Sequence, residues 1–366
     1  MDPARTFCPN LVCAARGHTG QGNIGIHSRK EQRFICTACR KTFTATKGTA
    51  LYRLRTSAET VSLVVTLMAH GCPLQAIVVA FGCDERTVAA WWARSGKQGQ
   101  AVQECLVEQP RDLGHVQADE IRVKKQGGIV WMALAMMVKT RLWLGGEVSE
   151  QRDMSLSRRL IERVRRCATH RPLLICTDGL VSSIRAVRET FRDPVHTGTG
   201  GRPRLRPWRN VLIAQVIKRS ERRRVVETER RIIEGTPARV ETLRRRSQGD
   251  GVINTAYIER LNATFRARLA SLTRRGRALA RRTVTLQHGM YLIGTVYNFC
   301  TPHASLAHAS GRTTPAMAAG ITDHGWTVQE LLSFHVPPPR WTPPKQRGRP
   351  SHAFKRLIER WCGDLG

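Results

Sequence analysis

Hydrophobic positions along the chain change their spacing at about residue 114. Between residues 58 and 95 they recur at helical intervals, interrupted by Gly71-Cys-Pro73 and Gly82-Cys83, which predicts three short helices over 58–70, 74–81 and 84–94. Ile77, Val78, Phe81, Val88 and Trp91 fall where the last two helices would pack, and Gly82 permits a tight turn between them, a helix-turn-helix pattern. From residue 114 the apolar runs become strand-like. His115 to Lys124, Ile129 to Lys139 and Arg141 to Val148 are separated by short breaks at Gly127-Gly128 and around Thr140, as in an antiparallel meander. A helix over about 153–169, a compact strand from Leu173 to Thr177, a helical stretch to Phe191 and a strand from Val211 to Ile217 follow. The expectation is an α/β core behind a small all-α segment.

Three carboxylates stand at informative places in this succession. Asp119 lies within the first strand, Asp178 directly follows the apolar strand 173–177, and Glu259 opens a helix-like run that begins at Ala256. Most acids are solvated surface groups, but Asp119 and Asp178 follow apolar stretches and would be buried without a compensating cation. Asp119 is preferred to Glu120, its neighbour on the opposite face of the strand. Acids converging from two strands and a helix repel one another unless divalent cations neutralise them, and two such ions suit phosphoryl transfer.

Charge points to the same chemistry. The 366 residues carry 60 Lys and Arg against 28 Asp and Glu, a formal charge of +32, far beyond the needs of solubility and expected of a chain that binds a polyanion. Residues 201–250 hold 15 basic and 6 acidic residues, and 260–282 hold eight Arg and no acid, Arg274 and Arg275 among them. Both stretches are expected to contact DNA phosphates. In the helix-turn-helix, Asp84, Glu85, Arg86 and Thr87 would open the second helix near base edges, with Trp92 and Arg94 further along. The longest apolar run, Ile129 to Val138, is ten residues, too short to span a bilayer, and no apolar leader follows Met1. A soluble, unexported protein with no membrane partner is expected.

Of eleven cysteines, only Cys8, Cys13, Cys36 and Cys39 are arranged in close pairs, and two such pairs can give four thiolates to a tetrahedral zinc. His18 or His27 can replace one of them. The following Arg40-Lys-Thr-Phe43 fits the hairpin of a zinc ribbon. After Phe334 the chain becomes Pro-rich and basic and is expected to be extended, with a short helix over about 353–361. Within it Arg347-Gly-Arg349-Pro350 resembles the core of an AT-hook, whose Arg-Gly-Arg strip fits the minor groove of A·T-rich DNA.

With the Cys pairs, the helix-turn-helix, Asp119-Glu120-Ile121, Thr177-Asp178-Gly179-Leu180 and Ile258-Glu259-Arg260-Leu261-Asn262 in this order, the chain resembles a DDE transposase of the insertion-sequence-one-like group to about residue 320. The resemblance implies a ribonuclease H-like catalytic core in which Asp119, Asp178 and Glu259 bind two Mg2+ or Mn2+ ions. It also implies that Arg266, two turns after the Glu, contacts the end of the element. The expected plan is a zinc ribbon over 1–50, a helix-turn-helix domain over 51–105, a core over 112–320 with a basic insert at 192–250, and a basic tail over 321–366. The implied function is a transposase that binds the terminal inverted repeats of an insertion sequence and cleaves and joins DNA as a homo-oligomer in the cytoplasm of a prokaryote, associated with the nucleoid. The alternative is a catalytically silent or co-opted DNA-binding regulator. Fusion of reader and core in one frame, and the length between Asp178 and Glu259, depart from many members of the group.

Overall fold

The computed structural model describes residues 1–195, 198, 201–222, 224–273, 279–306, 311–345 and 347–363. It forms two compact units, one of residues 1–57 with the chain from Ser333 onward, the other Ala58–Leu332.

The first unit holds a three-stranded antiparallel sheet of β1 (Ile24–Ser28), β2 (Arg33–Cys36) and β3 (Thr42–Thr44), with Phe34 opposite Phe43. A segment this short has few apolar side chains, and its core is built from Cys8, Cys13, Cys36, Ile24, Phe34 and Phe43.

The second unit begins with α1 (Ala58–Ala69), α2 (Leu74–Phe81) and α3 (Glu85–Val102). Gly82 ends α2 in the left-handed region at φ 59°, and Asp84 caps α3 by accepting from the Arg86 nitrogen at 2.8 Å. Asp84 is therefore spent on the helix start. The helix also runs well past residue 94, where the pattern suggested its end. Gly96 and Gly99 let it cross a later helix, since a Cβ at Gly96 would sit 2.5 Å from the His288 backbone. Trp92, expected on a DNA-facing surface, is buried and donates its indole N–H to the Thr285 carbonyl at 3.2 Å.

The sheet follows. Strands β4 (His115–Lys125), β5 (Gly128–Met137) and β6 (Trp143–Ser149) form the antiparallel meander, and α4 (Met154–Cys167), capped by Asp153, returns the chain. Strand β7 (Leu173–Thr177) then pairs parallel with β4. After α5 (Val181–Thr190) comes a separate hairpin of β8 (Arg192–Val195) and β9 (Arg204–Pro207). Strand β10 (Val211–Glu221) joins β7 in parallel, and β11 (Arg224–Glu234) turns back antiparallel at the edge. The sheet order is β11-β10-β7-β4-β5-β6. The chain continues through α6 (Pro237–Gln248), α7 (Ala256–Arg268), α8 (Thr283–Thr295), the short α9 (Pro315–Ala318) and α10 (Val328–Ser333) to α11 (His352–Cys362) in the first unit.

The units differ from the expected plan at both ends. Helices α1 to α3 group with the sheet because α3 packs along α8, and the tail groups with the cysteine-rich module. Trp361 of α11 is buried in that module's core, His335 Nε2 lies 2.7 Å from the Ala45 carbonyl, and Arg16 donates to the Pro339 carbonyl at 2.8 Å. The described residues of 336–350 carry no helix or strand, and the short helix expected near 353–361 is α11, whose Trp361 closes the module's core. No helix among the described residues is long and apolar enough to cross a membrane.

Candidate functional site

The four paired cysteines form the tightest chemical cluster. Their sulfurs all lie within 4.8 Å of one another, with Cys8 Sγ to Cys39 Sγ at 3.7 Å and Cys13 Sγ to Cys36 Sγ at 3.9 Å. Four thiolates on a tetrahedral zinc, with Zn–S of about 2.3 Å, stand about 3.8 Å apart, so the spacing fits that ion. Burial and neighbouring thiolates push Cys8 and Cys13 up, Cys13 to about 12; at Cys39 burial is outweighed by hydrogen bonds from the Asn10 side chain and the Lys41 backbone, which bring it to about 7. His18 packs on Trp361 with ring centroids 5.3 Å apart and the rings tilted by 57°, His27 is exposed, and neither joins the cluster.

In the second unit Asp119, Asp178 and Glu259 line one cleft of about 430 Å3, together with Arg152, Gly179, Leu180 and Lys218. Register explains the meeting. Strands β4 and β7 are parallel neighbours, so an acid within β4 and an acid just past β7 come to the same end of the sheet. Helix α7 brings its first turn over β4 through Gln117, fully buried two residues before Asp119: its Nε2 donates to the Asn254 carbonyl at 2.6 Å, and its Oε1 accepts from the Ile258 nitrogen at 3.0 Å. Thr255, at the start of α7, makes no side-chain cap; its hydroxyl donates to Glu259 Oε1 at 2.6 Å instead.

Each acid has further partners. Asn262 Nδ2 donates to Asp119 Oδ2 at 2.7 Å, Leu180 N donates to Asp178 Oδ1 at 3.1 Å, and Lys218 on β10 pairs with Glu259. Arg152 joins Glu120 Oε2 at 2.7 Å to Asp178 Oδ2 at 3.5 Å. Glu120 is thus tied to Asp178 through Arg152, and burial together with the charges of Asp178 and Asp119 raises its pKa while Arg152 lowers it. Burial raises the Asp119 pKa, and the charges of Asp178 and Glu259 raise it further, while Arg266 opposes them. The three carboxylates therefore sense one another. They do not reach the mutual spacing of the cysteines, which are the only group within 4.8 Å among the described residues.

Sequence spacing pointed to the acids and the cysteines but not to Gln117, which holds the start of α7, to Thr255, which meets Glu259 at that helix start, or to Arg152 and Lys218, which reach Asp178 and Glu259 from other elements. Arg86 and Thr87 are exposed on the first turn of α3, while Arg94 is half-buried. Arg266 is half-buried and lines a second hollow of about 400 Å3 with Glu120, Lys124 and Trp131. Arg347 and Arg349 are exposed on either side of Gly348, whose φ of 88° bends the strip expected to be flat. Arg274 and Arg275 lie outside the described residues.

No protein-family model matches the chain, and neither does any curated protein.

Proposed function

We propose that the protein is a DNA transposase of the DDE type, acting through a ribonuclease H-like core on the ends of a mobile element. The observation that carries this reading is the convergence of Asp119, Asp178 and Glu259 in one cleft. The strand order supports it: an antiparallel meander, then two parallel strands added beside the first, is the succession on which such cores are built.

The donor set suits hard divalent cations, since three carboxylates face one cleft and the charges of two of them raise the pKa of the third. Magnesium or manganese bound by Asp119, Asp178 and Glu259 would supply nucleophile activation and leaving-group stabilisation for hydrolysis and strand transfer. The remaining work belongs to the chain. Asn262 orients the Asp119 carboxylate, Gln117 and Thr255 position Glu259, and Lys218, Arg152 and Arg266 set positive charge around the cleft for a phosphodiester. Zinc at the four cysteines would hold the first unit together, and exposed Arg86 and Thr87 would read base edges.

The test uses DNA from the flanks of the gene. Purified protein with Mg2+ or Mn2+ is expected to cleave matched inverted ends and join them to a target, with Asp119→Ala, Asp178→Ala and Glu259→Ala each abolishing both steps while binding stays within a few fold. A variant that still cuts at the parental rate removes that residue from the assignment. Specific end binding by a parent protein that never cuts would instead identify the silent DNA-binding regulator.

A further inference from the structure

The hollow of about 400 Å3 beside the carboxylate cleft is lined by Glu120, Arg122 and Lys124 of β4, by Trp131 of β5, and by Arg266 and Ser271 from α7 and the turn after it. Alternation sets Glu120, Arg122 and Lys124 along one face of β4, and Trp131 stands directly across from Arg122 on the neighbouring strand. Trp131 is half-buried, and Arg122 and Lys124 are exposed. Among the described residues neither of these two cations has an ion pair or a hydrogen bond, whereas Arg152 and Lys218, the cations against the acids of the cleft, are both paired. The acid that lines the hollow, Glu120, is held by Arg152 at 2.7 Å, and the same guanidinium stands 4.7 Å over the Trp131 ring. Arg152 therefore supports the indole and ties the hollow to Asp178 in the cleft.

We propose that this hollow is a stacking site for one unpaired nucleotide of the DNA strand that enters the cleft, its base against Trp131 and its phosphate held by Arg122 and Lys124. The proposal rests on the reading of the cleft as a site for DNA. An aromatic ring beside cations without partners is the chemistry that a single strand asks for, because every base offers a flat face and every nucleotide a negative charge. A base still in a duplex has both faces covered by its neighbours and cannot lie on the ring, and a cavity near the small end of the roughly 300–1,000 Å3 of ligand pockets has room for a nucleotide but not for a double helix. Arg122 lies three residues beyond Asp119 on β4, about 10 Å of strand. The stacked nucleotide is then within about three positions of the phosphodiester at the carboxylates, at about 3.4 Å for each. A strand pinned there is held in register with the acids.

The test is photo-crosslinking of the full-length chain to an eight-nucleotide single strand of deoxythymidine in which one base is 5-iodouracil, which joins on irradiation to an aromatic side chain stacked on it. Peptide mass spectrometry is expected to find the adduct at Trp131. The same strand annealed to its complement should give far less of it, because paired bases stay in their stack. Arg122→Ala with Lys124→Ala should lower the Trp131 adduct several-fold and leave adducts elsewhere unchanged. On the ends taken from the flanks of the gene, Trp131→Leu should cut about five- to a hundredfold more slowly, the range of one lost base stack, and Trp131→Phe should recover most of the rate. Ends left unpaired over the three positions beside the cut should rescue Trp131→Leu, which a mere displacement of Arg152 would not allow. Circular dichroism shows whether each variant is folded. Adducts confined to other residues, equal Trp131 adduct from single and double strands, or a Trp131→Leu variant that cuts paired ends at the parental rate would overturn the proposal. A parent that gives the Trp131 adduct but never cuts would overturn the cleavage reading and leave the stacking site standing.

Discussion

The main-chain nitrogen of Ile258 donates to Gln117 Oε1 at 3.0 Å, so the strand that carries Asp119 grips the first turn of the helix that carries Glu259. Gln117 Nε2 in turn donates to the Asn254 carbonyl at 2.6 Å, and Gln117 is wholly buried. Helix starts leave backbone N–H groups without partners, and here a strand side chain supplies one of them. Gln117→Leu keeps the bulk but strands a buried donor and an acceptor. It is expected to cost about 1–3 kcal/mol in urea denaturation and to lower cleavage while leaving DNA affinity unchanged. A variant as stable and as active as the parent would show that the two elements hold their places without this bridge.

His115, on the same face of β4, gives the protein a pH dependence. Burial, with Arg141 and Arg244 nearby, holds its imidazole at about 3, well below the ordinary 6.5, while Ser247 Oγ and Cys176 Sγ lie 2.8 and 3.2 Å from its two nitrogens. Because the folded value is the lower one, the unfolded chain takes up a proton as pH falls through 6.5 and the folded chain does not until about 3. Stability is therefore lost across that window, at up to about 1.4 kcal/mol per pH unit from this group. Between pH 6 and 4 the denaturation free energy of His115→Gln should fall less steeply than the parent's by close to that slope. Parallel curves would mean that His115 takes up its proton equally in both states.

How far the site could be read from the chain depends on distance along it. Strand β7 matches its predicted ends because four apolar residues and Thr177 meet Asp-Gly, and β4 to β6 are close because their breaks are glycine or polar. Strand β10 was expected to stop at Ile217 but runs on to Glu221, since its basic end is carried by pairing with β11 rather than by burial. Strand β11 was hidden because an exposed edge has no apolar alternation to show. Gly96 and Gly99 look like helix breakers, and only the crossing of α8 explains them: a Cβ at Gly99 would stand 2.9 Å from the Tyr291 carbonyl oxygen. Lys218 and Arg152 were equally illegible, because what matters about them is an acid 41 or 26 residues away.

The cysteine cluster predicts one zinc per chain by elemental analysis, lost in the Cys36→Ser, Cys39→Ser double variant. Cobalt substitution should give the absorption of a tetrahedral thiolate site. Trp361 packs in the same core, so stripping the metal should also make α11 sensitive to proteolysis. A metal-free protein with an intact, protease-resistant first unit would show that the four thiols hold this core as small apolar groups.

Arg86 offers the sharpest test of sequence reading. It is exposed on the first turn of α3, behind the Asp84 cap, whereas Trp92 further along is buried against Thr285. Any base contact from α3 must therefore come from its N-terminal end. If that end enters a major groove, Arg86→Ala should weaken binding to the element's own ends by about 1–3 kcal/mol and leave binding to random DNA nearly unchanged. Replacing Arg347 and Arg349 with Ala should instead lower affinity for both DNAs and flatten the salt dependence, because contacts to phosphates act through counterion release. A salt titration on end and random DNA separates the two behaviours. Equal loss on both DNAs for Arg86→Ala would leave α1 to α3 as a helical layer of the core, and recognition of the ends would then fall to the first unit.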